Sequence, residues 1–174
     1  MKRYIITIAL VLSSLSTFAQ NTIKFLGIPI DGTKREFIWK LQAKGFEYDA
    51  YYDVLTGEFN GQHVSIFVET ASNRVWRVAV HEAMSLDDAD IKIRFNTLLN
   101  QFSNNGKYIK VRGEKFTNAD TYLVLMDKKR HEAHFSLVDK SINGRVWYRI
   151  SGGHYYHIEL FYENLDNAAN GDDL

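Results

Sequence analysis

The sequence predicts an α+β fold: one antiparallel sheet built from two tandem helix-plus-β-meander units, with the helices packed on one face. Three observations support this prediction. Two segments place apolar residues at helical spacing behind capping residues. Several others alternate apolar with polar residues and are joined by Asn-Gly or Gly-Gly pairs. Finally, two hairpin-like segments resemble each other at an offset of 71 positions.

The two ends of the chain are predicted to lie outside the folded domain, which we assign to residues 20–163. A basic start, an apolar run and small residues at positions 17 and 19 are typical of a cleavable signal peptide covering residues 1–19. The acidic stretch 164–174 has no hydrophobic period and predicts a disordered tail. We therefore expect an exported protein, periplasmic or secreted, without a membrane span.

Composition limits the partners and the source of stability. The 174 residues include no cysteine and are 45% hydrophobic, so packing rather than disulfides must stabilise an exported fold. The 21 basic residues are balanced by 21 acidic ones, which is not the basic surface of a nucleic-acid-binding protein. We predict no nucleic-acid partner and no cofactor.

The first repeat unit, at about 25–83, opens with a helix predicted at about 34–44. Thr33 and Glu36 form a capping box, and Gly45 supplies a left-handed stop. The apolar stripe that should face the sheet comprises Phe37, Ile38 and Leu41.

Strands follow this helix. An Asn-Gly pair at 60–61 predicts a hairpin between strands 55–59 and 63–69. A third strand is predicted at 74–81, where Trp76 alternates in phase with two valines. We therefore expect Trp76 to be buried beneath the first helix.

The second unit, at about 85–163, repeats the pattern with a longer helix. Ser85 and Asp88 are predicted to cap this helix, and Asn-Asn-Gly at 104–106 ends it. Its apolar stripe comprises Ile91, Phe95, Leu98, Leu99 and Phe102. Strands are predicted at 107–112, 121–127, 132–139, 145–151 and 154–162.

The internal repeat joins segments 63–76 and 134–147. Five of the 14 aligned positions are identical: a histidine, a serine, an arginine, a valine and a tryptophan. One interpretation is a supersecondary unit used twice, so that the two hairpins occupy equivalent places in the two units. The other is that two unrelated hairpins converged on similar strand residues.

The turn of the last hairpin decides which side chains face the core. A two-residue Gly152-Gly153 loop would bury two arginines without partners, which is costly. A three-residue loop at 151–153 shifts the register by one and turns every side chain to the other face. We prefer this second register, which also places Arg145 opposite Glu159.

In that register one face of the hairpin carries exposed aromatic and basic side chains. Aromatic residues and arginine are enriched where proteins bind partners. The predicted binding site comprises Trp147, Arg149, Tyr155, His157, Arg145 and Phe161. The alternative is that a helix or the tail covers this face.

The sequence gives little support for a catalytic site or a metal site. The pairs His131/His134 and His154/His157 are three residues apart, a spacing that points side chains to opposite faces of a strand. We predict no metal site. A nucleophilic cysteine and a Gly-x-Ser-x-Gly motif are lacking, whereas a carboxylate pair for glycoside hydrolysis stays possible.

Two tandem helix-plus-meander units, with Asp31-Gly32-Thr33 opening a helix, resemble the β-lactamase-inhibitor-protein fold. One unit alone is similar to the small lipoprotein subunit of the outer-membrane barrel-assembly machinery. The stretches 25–33 and 44–46, and the Thr-Phe-Ala-Gln signal ending, also resemble secreted proteins of Bacteroides-type bacteria. The chain departs from the inhibitor pattern because it has no cysteine for a disulfide.

The resemblance implies a binding module whose sheet face meets a partner, without identifying the partner. We therefore expect an exported, non-enzymatic module that binds a protein or a cell-surface partner through an exposed aromatic sheet face. The alternatives are an extracellular or periplasmic hydrolase acting on glycan or peptide, and a structural subunit of an envelope complex.

Overall fold

A computed structural model describes residues 22–120, 131–153 and 155–169. Its helices are α1 (Lys34–Gln42), α2 (Asp88–Ser103) and α3 (Leu165–Ala169). Its strands are β1 (Lys24–Phe25), β2 (Ile28–Pro29), β3 (Glu47–Asp49), β4 (Val54–Phe59), β5 (Gln62–Ala71), β6 (Arg74–Glu82), β7 (Tyr108–Arg112), β8 (Glu132–Leu137), β9 (Gly144–Gly152) and β10 (Tyr156–Asn164). The predicted strand at 121–127 and the signal peptide at 1–19 lie outside the described residues.

The predicted α+β class is confirmed. Strands β3 to β10 form an eight-stranded antiparallel sheet in the order β3-β4-β5-β6-β10-β9-β8-β7, and β1 pairs with β2 in a separate two-stranded sheet. The large sheet thus consists of two four-stranded meanders, one after α1 and one after α2. Their last strands, β6 and β10, pair at the centre of the sheet.

Both long helices begin at the side chains that best satisfy their free amides. The Thr33–Glu36 capping box is present at the start of α1, as predicted. At α2 the capping residue is Asp87 rather than Ser85, and its carboxylate accepts hydrogen bonds from the amides of Ala89 and Asp90 at 2.9 Å. The helix cannot start earlier because Leu86 is held in a β-bridge.

The core lies between the helices and one face of the sheet. Burial of an apolar stripe on each helix against alternate strand residues is the main driving force for this two-layer arrangement. The fully buried side chains include Phe37 and Leu41 from α1, Phe95 and Leu98 from α2, and Ile66, Phe135 and Tyr148 from the strands. The Tyr148 hydroxyl donates a hydrogen bond to the Phe95 carbonyl oxygen at 3.0 Å, which ties the sheet to α2.

A β-bulge overturns the prediction that Trp76 is a core residue. Glu69 pairs with Arg77 and Thr70 pairs with Val75, so Trp76 is the extra residue on β6. Val75 is fully buried in its place. Trp76 is only partly buried, with the Arg77 guanidinium 4.0 Å from its ring centroid.

The two segments that resemble each other do not occupy equivalent places in the two meanders. Segment 63–76 belongs to β5 and β6, the third and fourth strands of the first meander, whereas 134–147 belongs to β8 and β9, the second and third strands of the other. By position in the meander, β5 corresponds to β9 and β6 corresponds to β10. The first residues of each pair, Gln62 and Gly144 or Arg74 and Tyr156, are 82 positions apart. The predicted offset of 71 is therefore not the structural one.

The first part of the predicted disordered tail is ordered. Asn164 is 4% exposed, and its amide donates to Thr22 Oγ1 at 3.0 Å and to the Ile30 carbonyl at 2.8 Å. In α3, the buried amide of Asn167 donates to the Val75 carbonyl at 2.7 Å. Polar side chains placed to satisfy buried backbone groups hold this segment, a mechanism that hydrophobic patterning does not reveal. Residues 170–174 lie outside the described part of the chain.

Candidate functional site

The candidate site is the sheet face opposite α1 and α2, called here the open face. Alternation along β9 sends Val146, Tyr148 and Ile150 into the core, so the residues between them point to the open face. The central row across this face comprises Phe67, Ala79, Phe161, Trp147, His134 and Arg112.

The register of the last hairpin differs from the prediction by two residues on each strand. Gly152 pairs with Tyr156, so β9 extends to Gly152 and the predicted loop at 151–153 was wrong. Arg145 therefore faces Glu163 instead of Glu159. Because the shift is even, the assignment of side chains to the two faces is unchanged.

Three rings stand side by side in the central row. Trp147 is stacked between Phe161, at a centroid distance of 4.1 Å, and His134, at 5.3 Å. The planes of neighbouring rings differ by 17° and 7°. Each ring covers the face of its neighbour, so the row presents ring edges rather than ring faces.

Ion pairs flank the rings on both sides. On one side, the fully buried carboxylate of Glu163 accepts hydrogen bonds from Arg77, at 2.9 Å, and from Arg145. On the other, Glu159 accepts from Arg149 at 2.5 Å. At the sheet edge Glu132 accepts from Arg112 at 2.5 Å. Each of these carboxylates has a cationic partner, as the burial of charge requires.

The electrostatic setting lowers two pKa values on this face. Burial of Glu159 favours its neutral form, but the hydrogen bond and charge of Arg149 outweigh that effect, and the pKa lies below its usual value. Burial lowers the pKa of His81, against the opposing attraction of Glu159. Glu159 is thus ionised and His81 neutral near pH 7.

One polar group at the centre of the face lacks a partner. Trp147 Nε1 is buried, and no acceptor among the described residues lies within hydrogen-bond reach. A buried donor left without an acceptor costs about 1–3 kcal/mol. The other such group in the described part of the chain, the Tyr156 hydroxyl, lies on the core side.

The structure brings five of the six predicted site residues onto the open face: Trp147, Arg149, His157, Arg145 and Phe161. Phe161 is only 6% exposed because its neighbours cover it. The sixth residue, Tyr155, is 67% exposed and lies in the connection between β9 and β10.

Sequence reasoning missed the contributions of three other strands and of the end of β10. The residues are Arg77 and His81 on β6, Arg112 on β7, Glu132 and His134 on β8, and Glu163 on β10. Alternation could have assigned each of them to a face, but only the strand order shows that β6, β7 and β8 lie on either side of the hairpin that carries Trp147.

The open face is poorly suited to acid–base hydrolysis. A general acid needs a carboxyl group with a raised pKa, whereas the pKa of Glu159 is lowered and the other two buried or partly buried glutamates are bound by arginine. Among the described residues no group of three or more metal-ligating side chains could hold a metal ion.

No protein-family model, no curated protein and no solved structure matches the chain. None of the helices in the described ranges has the length and apolar character needed to cross a bilayer.

Proposed function

We propose that the protein is an exported, non-enzymatic binding module that contacts a protein or envelope-surface partner through its open face. The observation that carries this proposal is the stacked row of Phe161, Trp147 and His134 at the centre of the face, which is bordered by arginine side chains. The carboxylates of Glu163 and Glu159 are paired with arginine within the fold, so a partner that covers the row does not have to bury an unpaired charge beside it.

The composition of the face supports the same proposal. Tryptophan and arginine dominate the energetically important residues of protein interfaces. Arg149 lies 5.9 Å from the Trp147 ring centroid and 5.5 Å from that of Phe161. The rings and guanidinium groups are thus already ordered before binding, which lowers the entropy lost on association.

We also propose that the protein is exported and that its fold is related to the β-lactamase-inhibitor-protein fold. Two meanders forming one wide sheet, each after a helix, fit such a module. The signal sequence predicts that mature protein from the native host begins at Gln20, which N-terminal mass spectrometry will test. An intact Met1 on the soluble protein would contradict export.

The binding proposal is tested by affinity capture from envelope extract with purified wild type, Trp147→Phe and Trp147→Ala. Trp147→Phe keeps an aromatic ring but reduces the area that a partner can cover, and should weaken capture of the partner about fivefold. Trp147→Ala should weaken it about thirtyfold, as for an interface hot spot.

The matched control is Ile93→Ala, which truncates an apolar side chain that is 61% exposed on α2, away from the open face. It should leave capture unchanged. If Ile93→Ala abolishes capture while both Trp147 variants retain it, the open face is not the binding surface.

A further inference from the structure

A cavity on the opposite side of the sheet, of about 660 Å³, has no role in the proposed function. It lies where the β1–β2 hairpin meets the ends of β4, β7 and β8. Its apolar lining includes Ile23, Leu26, Phe59, Leu137, Val138 and Ile142. This volume and lining match those of sites that take small apolar ligands.

Tyr162 lines this cavity. Tyr162 is 7% exposed and packs edge-on against Phe25, with 5.1 Å between ring centroids. No described residue forms a hydrogen bond with its hydroxyl. Burial, together with the nearby Tyr108, raises the Tyr162 pKa, so the phenol stays protonated. A hydrogen-bond donor is therefore available in the cavity.

Two lysines give the cavity a positive rim. Lys24 and Lys107 are exposed residues that line it, and neither forms an ion pair with a described residue. The one acidic residue of the lining, Asp139, already accepts hydrogen bonds from the Ser141 amide at 2.9 Å and from its hydroxyl at 2.7 Å. These hydrogen bonds lower the Asp139 pKa, so the lining holds two ammonium groups and a phenol donor beside one ionised carboxylate, and its net charge is positive.

We propose that this cavity binds a long-chain carboxylate, with the alkyl chain against the apolar lining and the carboxylate held by Lys24, Lys107 and the Tyr162 hydroxyl. A chain of about 12 carbons fits the volume range of such sites. Apolar burial supplies most of the affinity. The lysines and the phenol select an anionic headgroup that can accept a hydrogen bond.

Isothermal titration calorimetry of the full-length protein tests which headgroup the cavity prefers. Three probes with alkyl chains of equal length are compared. Dodecanoate and dodecyltrimethylammonium are used below their critical micelle concentrations, and dodecan-1-ol below its solubility limit. We expect one dodecanoate per chain, bound about tenfold or more tightly than either other probe. Absence of binding, or equal affinity for all three probes, would overturn the proposal.

Variants locate the site. The double variant Lys24→Gln/Lys107→Gln changes exposed residues only, and should weaken dodecanoate about tenfold while leaving dodecan-1-ol unaffected. The matched control Lys40→Gln/Lys110→Gln removes two exposed lysines outside the cavity and should change neither affinity. Unchanged dodecanoate affinity in the Lys24/Lys107 variant would refute the site.

Tyr162→Phe tests the hydroxyl and should weaken dodecanoate about fivefold. Thermal unfolding of this variant checks that the fold is retained. Because Trp147 is not involved, Trp147→Ala should bind dodecanoate like wild type, so failure of this proposal is distinguishable from failure of the proposed partner-binding function.

Discussion

Alternate residues of the same strands point to opposite faces of the sheet, and the two faces have different roles. On the covered face, β8 and β9 place Phe135, Val146 and Tyr148 into an apolar core. On the open face the intervening residues His134 and Trp147 form a stacked row bordered by ion pairs. Neighbouring positions in sequence should therefore divide between stability and binding, and the following predictions test that division.

Among these substitutions, Phe135→Ala should cause the largest loss of folding stability. Phe135 is 1% exposed and stacks on Phe102 at 4.9 Å, so its removal leaves a cavity in the core. The free energy of unfolding should fall by about 3–5 kcal/mol in urea titrations. The adjacent His134→Ala, on the open face, should cost about 1 kcal/mol. Equal losses from the two substitutions would argue against the division.

Glu163→Gln should have the next largest effect, although Glu163 points to the open face. Its carboxylate is fully buried and binds two arginines, which remain 24% and 46% exposed and can be rehydrated in part. We expect a loss of about 1–3 kcal/mol in denaturant unfolding. A stability equal to that of wild type would show that the two ion pairs contribute nothing net.

The pH dependence of the free energy of unfolding should show a contribution from the protonation of His81. Because burial lowers its folded pKa below the ordinary value of 6.5, the unfolded chain takes up the proton first and stability falls as the pH drops through 6.5. Glu159, whose folded pKa is lowered, contributes stability above its ordinary value of 4.5 and loses it only at lower pH.

Between pH 7.5 and 5.5 the slope from His81 is at most about 1.4 kcal/mol per pH unit. His81→Gln should reduce the slope in this interval, measured as urea midpoints at a series of pH values. The titratable and charged groups around His81 are Glu159, His157, Arg149 and Glu69. An unchanged slope in His81→Gln would mean that another group titrates in this range.

Trp147→Phe should have the smallest effect on stability. The substitution shortens a stacked ring but also removes the unpartnered Nε1–H, and these two contributions oppose each other. We expect the melting temperature to change by no more than about 3 °C in either direction. A large decrease would indicate that the indole is needed for folding rather than for binding.

Much of this architecture could be predicted from local signals. Capping residues indicate α1 correctly, apolar stripes indicate both long helices, and the cost of burying arginine indicates the faces of β9 and β10; the predicted cap of α2, Ser85, was wrong. The errors came from non-local features. The bulge at Trp76 depends on how β6 pairs with β5, and the position of Asn164 depends on the Thr22 hydroxyl and the Ile30 carbonyl oxygen.

The candidate site was predicted in part for the same reason. Trp147 and Phe161 lie on one hairpin, so a correct face assignment was enough to bring them together. His134 and Arg77 reach the same row or its border only because the order of the strands places β8 and β6 beside β9 and β10. A single sequence contains no direct signal for that order.

Site-specific photo-crosslinking in the native host tests the central claim most directly. A benzophenone amino acid replaces Ser136, which pairs with Arg145 on the open face, or Ile93, which is exposed on α2. We predict a discrete adduct from position 136, lost when Trp147→Ala is combined with it, and none from position 93. An adduct from position 93 alone, or one from 136 that is indifferent to Trp147, would contradict binding through the open face.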